Sequence, residues 1–467
     1  MNYEPILNEI KPDVEEKEKL HKISHELIDN LNLIIKKENI QAKAVLVGSV
    51  AKNTFLTGKS DIDIFINFPL STPIDKLKEI GLKLGYKCSD AFNGIAEEHY
   101  ASHPYLTSNI NGFDVDFVPC YKIKSSEELK SAVDRTLLHT KYIKSHLKEK
   151  QKDEVLLLKK FMSEIGTYGS EFKVGGFAGY LCELLILKYG TFEKLLECAQ
   201  NWHYGTIIDL ENYGTGKKFK DPLITIDPTD KNRNVGAALR LEKMVDFIIA
   251  SRNFLDEKDI NKKLNYFKPL NKKEINIKNI LTKFEDRETH TLILKFNIPE
   301  IPPDSLHPQL KKTMESICEK LESYEFSIFK SDYWTDEVKN AFFIYELNVY
   351  KQSKYIIHEG PKIWSKKACD NFKSYHTNKL YTIKDQLVLN KIREFQTPES
   401  YLKYVLTKEN INHIKVGKNL HQPIIETYTL CLIQDLLTNI QFEEYDFKKE
   451  FLNFLDDFID PNQYIKR

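Results

Sequence analysis

The chain has 467 residues, of which 41% are hydrophobic, 12% aromatic and 29% charged. This length exceeds what one hydrophobic core organises, so roughly two to four domains are expected, and the composition excludes a mainly disordered or membrane-embedded protein. Lys and Arg together number 68, as do Asp and Glu, so net charge alone does not indicate a nucleic-acid partner, although local basic clusters still can.

The seven cysteines are scattered, and no pair has CxxC spacing. This pattern disfavours a disulfide framework or a zinc site and favours a reducing cytoplasm. The first residues are acidic and polar, unlike a signal peptide, and no apolar run reaches the length of a membrane span. The sequence therefore predicts a soluble cytoplasmic protein without a membrane partner.

The N-terminal region predicts a small mixed α/β domain. Apolar residues at spacings of three and four predict an amphipathic helix over 13–38. "AKAVLVGS" and "DIDIFINF" predict two strands, and "NGFDVDFVP" predicts a third that ends at Pro119. We assign residues 1–145 to this domain.

The middle and C-terminal regions predict two further domains. Residues 153–255 have helical patterns, with Gly166 and Gly190 placed as helix stops and one helix expected over "NVGAALRLEKMVDFIIASRNFL". Beyond about residue 275, strand, helix, strand, strand and helix predict a ferredoxin-like layer over about 285–376. A helical tail is expected over about 385–467. We place the domain boundaries at 146–262 for the helical central domain and 263–467 for the C-terminal region.

One short phrase suggests a phosphate-binding loop. Gly58-Lys59-Ser60 resembles the end of a Walker A motif, but Asn53 stands where that motif needs its first glycine. Gly48-Ser49 is the better candidate, because a strand that opens into a short helix offers free N–H groups and a hydroxyl. Lys52 would add a positive charge. The alternative is a glycine turn followed by a serine cap.

Two pairs of aspartates follow the same pattern on predicted strands. Asp61 and Asp63 are two residues apart, so both side chains lie on one face of a strand, and Asp114 and Asp116 repeat this spacing on a later strand. Neighbouring carboxylates repel each other unless cations lie between them, and divalent ions prefer such oxygen ligands. Solvent-facing positions on amphipathic strands are the alternative.

Gly-Ser, Asp-x-Asp and a later strand Asp together resemble the nucleotidyltransferase superfamily typified by DNA polymerase beta. Further blocks narrow the resemblance to the archaeal class I CCA-adding enzymes (tRNA nucleotidyltransferases). These blocks follow one another from about residue 45 to 420: "GSVAKNTFLTGKSDIDIF", "DFVPCY", "SAVDRTLLHTKY", "LLLKKFMSEIGTYGSEFKVGGFAGYLCELLI", "DPTDKNRNV", "HPQL" and "VGKNL".

The resemblance implies an α+β multidomain fold. It has a polymerase beta-like mixed-sheet head, a helical central domain and a ferredoxin-like C-terminal domain with a helical tail. Asp61, Asp63 and Asp116 match the family's metal-binding catalytic triad, which holds two Mg²⁺ ions. Some members carry Glu at the first of these positions, and Asp114 is the less suitable third ligand.

The resemblance also implies a nucleotide pocket and RNA contacts. The matching nucleotide-binding residues are Gly48, Ser49, Lys52, Thr136, His139, Lys159, Tyr168 and Arg233. By themselves, Lys159 and Tyr168 would pass for a surface lysine and a loop tyrosine. Arg233, expected at the start of a helix, matches an arginine that reads the base edge, and its alternative role is an ion pair with Asp230. Lys418 and the basic stretch 122–160 are candidate tRNA contacts.

The implied activity is addition of the 3′-terminal CCA to tRNA from CTP and ATP without a nucleic-acid template. Two metal ions would assist transfer of the α-phosphate to the tRNA 3′-hydroxyl. Homodimerisation is implied by the resemblance alone. Two alternatives remain: a poly(A) polymerase-like or oligoadenylate synthetase-like transferase, and a non-catalytic RNA-binding protein on the same scaffold.

Overall fold

The computed structural model describes residues 1–58, 61–100, 104–270, 275–376, 379–439 and 445–461. The chain divides into two compact units, Met1–Asn271 and Lys272–Pro461. Nowhere in these ranges is a helix long and apolar enough to cross a membrane.

The first unit begins with a mixed α/β layer, which we call the head. Its elements are α1 (Glu4–Ile10), α2 (Val14–Lys37), β1 (Lys43–Leu46), α3 (Gly48–Lys52), β2 (Ile62–Phe68), α4 (Ile74–Ala91), β3 (Ile95–Tyr100), β4 (Pro104–Ile110) and β5 (Phe113–Tyr121). The five strands form one sheet in the order β1-β2-β5-β4-β3, with β2 and β5 parallel and the other pairs antiparallel.

Helix α2 confirms the helix predicted over 13–38. The Asp13 side chain caps its first turn by accepting a hydrogen bond from the Glu16 N–H. Leu20, Leu27 and Leu31 are fully buried on the face that packs against the sheet, as the spacing of the apolar residues requires.

The prediction that Pro119 ends its strand is wrong. Strand β5 continues to Tyr121, and Pro119 pairs in register with Ile66 of β2. The residue pairs between β4 and β5 stop at Phe117, so the N–H that proline lacks interrupts no hydrogen bond to β4.

The rest of the first unit is the central domain. Its elements are α5 (Arg135–His146), α6 (Glu149–Glu164), α7 (Gly179–Tyr189), α8 (Phe192–Ala199), β6 (Thr206–Ile208), β7 (Leu223–Asp227), β8 (Asp230–Asn234), α9 (Leu241–Asp256) and α10 (Ile260–Asn265). Helices α6 to α9 bury an aromatic-rich core around Phe161, Phe192, Phe247 and Phe254. The predicted stops are confirmed, since α6 and α7 end immediately before Ile165-Gly166 and Gly190, and both glycines have positive φ.

Two features of the central domain differ from the prediction. Strands β6, β7 and β8 form a three-stranded sheet inside the stretch expected to be helical. The helix expected to begin near residue 234 begins at Leu241. Asn234 accounts for the delay, because its side-chain oxygen accepts hydrogen bonds from the Thr225 and Gly236 N–H groups and holds the chain in an extended segment and a short 3-10 turn.

The second unit is built on a four-stranded antiparallel sheet. The elements of this unit are α11 (Ile277–Glu285), β9 (His290–Asn297), α12 (Pro303–Ser323), β10 (Ile328–Thr335), β11 (Asn340–Leu347), β12 (Tyr355–Lys362), α13 (Lys366–Tyr375), β13 (Leu380–Ile383), β14 (Gln386–Ile392), α14 (Pro398–Val405), α15 (His421–Thr427), β15 (Thr429–Leu432), α16 (Ile433–Asn439) and α17 (Tyr445–Ile459). The order β10-β11-β9-β15 is that of a ferredoxin-like layer.

The layer is assembled differently from the prediction. Its last strand is β15, which lies within the region expected to be a helical tail. The helix expected near 364–375 is α13, and it packs against β12 of a separate three-stranded sheet, β12-β14-β13. A segment carrying its own small sheet thus interrupts the ferredoxin-like layer between the third and fourth strands.

Candidate active site

Gly48 begins the short helix α3 directly behind strand β1. Its φ is +73°, and a Cβ at this position would lie 1.8 Å from Oδ2 of Asp63. The preceding residue, Val47, donates its N–H to the Asp63 carbonyl at 3.0 Å. Glycine therefore fits for two reasons: the left-handed backbone and the close approach of the carboxylate.

The carboxylates lie on the two parallel strands at the centre of the head sheet. Asp63 of β2 pairs in register with Asp116 of β5, so the two aspartate-bearing strands are neighbours in the sheet. Asp116 accepts a hydrogen bond from the Thr107 hydroxyl at 2.6 Å. Asp61 precedes β2, and Asp114 is exposed and accepts a hydrogen bond from Asn109.

The electrostatics show a concentration of negative charge. Burial, followed by the charges of Asp116 and Asp61, raises the pKa of Asp63 to about 7. Burial also raises the pKa of Asp116, against the hydrogen bond from Thr107, and partial burial with the charge of Asp114 raises the pKa of Asp61. All three shifts result from carboxylates placed together in a poorly solvated site.

These residues have the chemistry of a divalent-cation site. Carboxylate oxygens are the ligands that Mg²⁺ prefers, and a cation would offset the repulsion that raises the pKa of Asp63. Across the described ranges, no three His, Cys, Asp or Glu side chains are already gathered closely enough to hold a metal ion.

A buried polar cluster joins the head to the central domain. Lys52 Nζ lies 2.6 Å from Glu183 Oε2, and the Thr54 hydroxyl donates to Glu183 Oε1 at 2.6 Å. Lys159 donates to the Thr54 carbonyl at 2.6 Å. Lys159 is not the surface lysine that its position alone suggested: it is 3% exposed, and burial lowers its pKa.

Tyr168 lies beside the same cluster. Its hydroxyl and the Lys159 ammonium both approach the backbone of Gly179, at 3.2 Å and 3.6 Å from where a Cβ would be. Burial raises the pKa of Tyr168. The fold thus brings Lys52, Lys159 and Tyr168 together around the start of α7.

A second cluster surrounds the buried carboxylate of Asp227. His139 Nε2 and Arg233 Nη1 each lie 2.8 Å from Asp227 Oδ2, and the Tyr180 hydroxyl lies 3.3 Å from Oδ1. The rings of His139 and Tyr180 stack with centroids 3.9 Å apart. Thr229 completes the set by donating its N–H and its hydroxyl to Oδ1.

The expectation that Arg233 begins a helix is wrong, and the ion pair it forms is not the one named as its alternative role. It lies on strand β8 and not at the start of a helix, because Asn234 keeps this segment extended. Its ion pair is with Asp227, and the charged partner near Asp230 is Arg135, at 3.5 Å. Both differences follow from the turn between β7 and β8, which folds Arg233 back over the end of β7.

The cluster controls the charge of its own members. Burial acts to raise the pKa of Asp227, but the hydrogen bond and charge of His139, with the bonds from Thr229, outweigh burial and lower it. Burial lowers the pKa of His139 in spite of Asp227. Asp227 is therefore ionised near pH 7.

The remaining predicted site residues lie in different places. Ser49 is in α3, and Thr136 is in the first turn of α5. Lys418 is exposed in a loop of the second unit between Gly417 and Asn419, which are anchored to α12. Lys59 and Ser60 lie outside the described residues.

Sequence reasoning missed six residues of these clusters: Thr54, Thr107, Tyr180, Glu183, Asp227 and Thr229. One signal was available, since Glu183 is the only acidic residue within the apolar run "GYLCELLILKY" of α7. A lone carboxylate among apolar residues is rarely buried without partners. Asp227 had no comparable signal, because a strand-ending Asp is common in turns.

Three family models match successive parts of the chain. The model described as a nucleotidyltransferase domain matches residues 28–139. That described as the second domain of tRNA nucleotidyltransferase matches 153–268, and that described as the C-terminal domain of the CCA-adding enzyme matches 287–432. The last match ends at the final residue of β15, the strand that completes the ferredoxin-like layer.

Curated relatives match over most of the chain. The CCA-adding enzyme of Methanothermobacter thermautotrophicus is 44% identical over 466 residues, covering 100% of this chain and 99% of that protein. That of Methanocaldococcus jannaschii is 41% identical, covering 79% and 82%. That of Methanosarcina barkeri is 34% identical, covering 95% of each.

Proposed function

Since the chain belongs to the CCA-adding enzyme family of tRNA nucleotidyltransferases, we propose that Asp61, Asp63 and Asp116 form the centre at which it extends the 3′ end of tRNA. The enzyme adds the terminal CCA to tRNA without a nucleic-acid template, using CTP and ATP and releasing pyrophosphate. The observation that carries the site assignment is the register pairing of Asp63 with Asp116 beside Gly48, where burial, followed by the charges of the neighbouring carboxylates, raises the pKa of Asp63 to about 7.

The cofactor of this centre is two Mg²⁺ ions. Bound divalent ions lower the pKa of an attacking hydroxyl and neutralise charge on the departing pyrophosphate. Asp61, Asp63 and Asp116 are the residues that would hold these ions. The Thr107 hydroxyl keeps Asp116 oriented, and Gly48 leaves room for Asp63 at the base of α3.

The triphosphate is bound by cationic and hydroxyl groups close to α3. Ser49 and Lys52 belong to that helix, and Lys159 approaches the segment behind it. In phosphoryl transfer the protein mainly positions groups and neutralises charge, which is the work these side chains are suited to. Thr136, His139 and Tyr168 contact the sugar and the phosphates.

Arg233 reads the base edge. Its guanidinium offers five N–H donors in a planar fork, and the pair with Asp227 uses only part of them. Asp227 also contacts His139, so one buried carboxylate fixes the orientation of both side chains. This arrangement favours selection by hydrogen bonds to the base over selection by charge.

The decisive experiment is an incorporation assay. A tRNA transcript lacking CCA is incubated with the full chain, Mg²⁺, and CTP and ATP singly and together. We expect two C and one A to be added and the reaction to stop there. Long homopolymer tails, or no incorporation of C, would contradict the assignment in favour of the poly(A) polymerase-like alternative.

Catalysis and RNA binding can be tested separately. Asp63→Ala should abolish incorporation, while the dissociation constant for tRNA, measured by filter binding, stays within about twofold of the unmodified protein because Asp63 contacts the metal and not the RNA stem. Full activity in this variant would refute the site assignment and revive the non-catalytic alternative. The cytoplasmic location and homodimerisation stay predictions.

A further inference from the structure

Glu183 is a buried charge that the reaction outlined above does not use. It lies on α7 among buried neighbours such as Leu181, Cys182 and Leu184, and it is itself 0% exposed. A carboxylate in such surroundings costs several kcal/mol unless it is paired and hydrogen-bonded. The contacts of Glu183 therefore indicate which groups this carboxylate stabilises.

Both carboxylate oxygens are occupied by groups from the head. Oε2 lies 2.6 Å from the Lys52 ammonium, and Oε1 accepts the Thr54 hydroxyl at 2.6 Å. Lys52 is the last residue of α3, and Thr54 follows it by two positions. One side chain of the central domain thus holds the C-terminal end of the helix whose N-terminal end carries Gly48 and Ser49.

Lys159 adds a second cation to the same place. Its ammonium donates to the carbonyl of Thr54 at 2.6 Å, in the immediate surroundings of Glu183. Burial lowers the pKa of Lys159, and the charge of Glu183 acts in the opposite direction. Glu183 is therefore paired with Lys52, and its charge also favours the protonated form of Lys159.

We propose that Glu183 is a positioning residue for the incoming nucleotide, holding Lys52 and α3 so that Lys52, Ser49 and Lys159 form a preorganised site for the triphosphate. The inference rests on the proposed role of Lys52. A free lysine side chain loses rotamer entropy when it is fixed, and a lysine already oriented by a buried partner loses less of it on binding.

Glu183→Gln tests the inference, because it removes the charge while keeping the size of the side chain and one acceptor oxygen. We expect the KM for CTP and for ATP to rise about tenfold, with kcat and the KM for tRNA each within about threefold of the unmodified enzyme. Equilibrium affinity for a non-hydrolysable CTP analogue, measured by calorimetry, should fall by the same factor.

Glu346→Gln is a matched control in the second unit. Glu346 is also 0% exposed, and it receives Arg287 Nε and the Thr289 hydroxyl, each at 2.6 Å. The Glu346→Gln variant should have a lower unfolding temperature, because it weakens a buried ion pair, but its KM for nucleotides should not change. If both variants change the nucleotide KM equally, or if Glu183→Gln does not change it, the inference is wrong.

Lys52→Gln separates this inference from the proposed function. If Lys52→Gln leaves nucleotide affinity unchanged, the proposed role of Lys52 fails and the inference fails with it. If Lys52→Gln weakens affinity and Glu183→Gln does not, only the inference fails. If Glu183 acts through Lys52, adding Glu183→Gln to Lys52→Gln changes the KM by less than about twofold further.

A conservative variant keeps the test available if Glu183→Gln does not fold. Glu183→Asp retains the charge but shortens the side chain by one methylene, so it cannot keep both contacts at 2.6 Å. We expect a nucleotide KM about threefold above that of the unmodified enzyme. Unchanged nucleotide affinity in this variant would overturn the inference.

Discussion

Of the three proposed metal ligands, Asp63 has the most strongly raised pKa. Its pKa is raised to about 7 by burial, then by Asp116 and Asp61, and only Lys52 acts in the opposite direction. In the unfolded chain the same carboxyl has its ordinary pKa near 3.8, so the folded protein holds a proton that the unfolded chain releases between about pH 4 and pH 7. The free energy of unfolding of the metal-free protein therefore falls as the pH rises through this window.

Neutralising Asp63 should stabilise the protein and inactivate it. In EDTA at pH 8, Asp63→Asn should raise the free energy of unfolding by about 2 kcal/mol, because an uncharged amide removes the carboxylate repulsion. Urea denaturation measures the change, and the incorporation assay measures the loss of activity. Asp114→Asn, at an exposed position on the same sheet, should leave both nearly unchanged. If Asp63→Asn instead lowers the free energy of unfolding, carboxylate repulsion does not destabilise the metal-free protein.

Metal affinity should depend on pH for the same reason. Below about pH 7 a divalent ion must displace the proton held by Asp63. The Mg²⁺ concentration that gives half-maximal activity should therefore rise about tenfold for each unit by which the pH falls. Between pH 7.5 and 8.5 it should be nearly constant. Calorimetric titration with Mn²⁺ provides the independent measurement. Equal affinities at pH 6 and pH 8 would show that Asp63 does not take part in metal binding.

At the scale of elements, α3 is short but is held at both ends. Its first residue, Gly48, lies against Asp63, and its last residue, Lys52, is paired with Glu183. Five residues of helix have little intrinsic stability, so these tertiary contacts decide where the helix lies. The proposed metal ligands and phosphate ligands are thereby kept in a fixed relation.

A methyl group at residue 48 should disrupt this relation. Gly48→Ala places a Cβ onto Asp63 Oδ2 and strains a positive φ, so we expect activity to fall about a hundredfold, the cost of displacing a ligand by about 1 Å. Gly190→Ala is the control, with φ of +90° and open space around the Cβ. It should lose about 1 kcal/mol of stability and keep its kinetics. If Gly48→Ala and Gly190→Ala lose the same amount of activity, the loss in Gly48→Ala is not caused by contact with Asp63.

At the scale of the whole molecule, a net charge of zero conceals an uneven distribution. Residues 351–393, which carry the small sheet β12-β14-β13, contain ten Lys and Arg against three Asp and Glu. In the basic stretch 122–160, Lys141, Lys144 and Lys148 are exposed. Neutral proteins can bind RNA when basic groups are clustered in this way, because affinity depends on the phosphates contacted and not on net charge.

Lys418 provides a test of RNA contact in the second unit. If its ammonium contacts a tRNA phosphate, Lys418→Ala should weaken tRNA binding at low salt and reduce the slope of log K against log salt by about one. The KM for CTP should not change. Lys19→Ala is the control, since Lys19 is exposed on α2 and paired with Glu15. An unchanged salt slope in Lys418→Ala would remove Lys418 from the RNA interface.

Much of the head follows from the sequence because its signals are local. Alternation along β2 and β5 places Ile62 and Ile64 in the core and leaves Asp63 and Asp116 less deeply buried, and the glycine at residue 48 stands where a strand turns into a helix. The boundaries of helix α2 could likewise be found from spacing and a capping aspartate. These features depend on neighbours within a few residues, so periodicity and turn chemistry are sufficient to find them.

Contacts between distant segments were decided only by the tertiary structure. Glu183 meets Lys52 across 131 residues and His139 meets Asp227 across 88, and β15 closes the ferredoxin-like sheet by pairing with β9. Local pattern cannot specify such partners, because a carboxylate or a short apolar strand is compatible with many neighbours until the chain has folded. The sequence by itself predicted the type of reaction centre and the carboxylates proposed as its ligands. The bond of Lys52 on α3 to Glu183 on α7, and the pairing of β8 with β7, decided which charges are paired, buried and oriented around it.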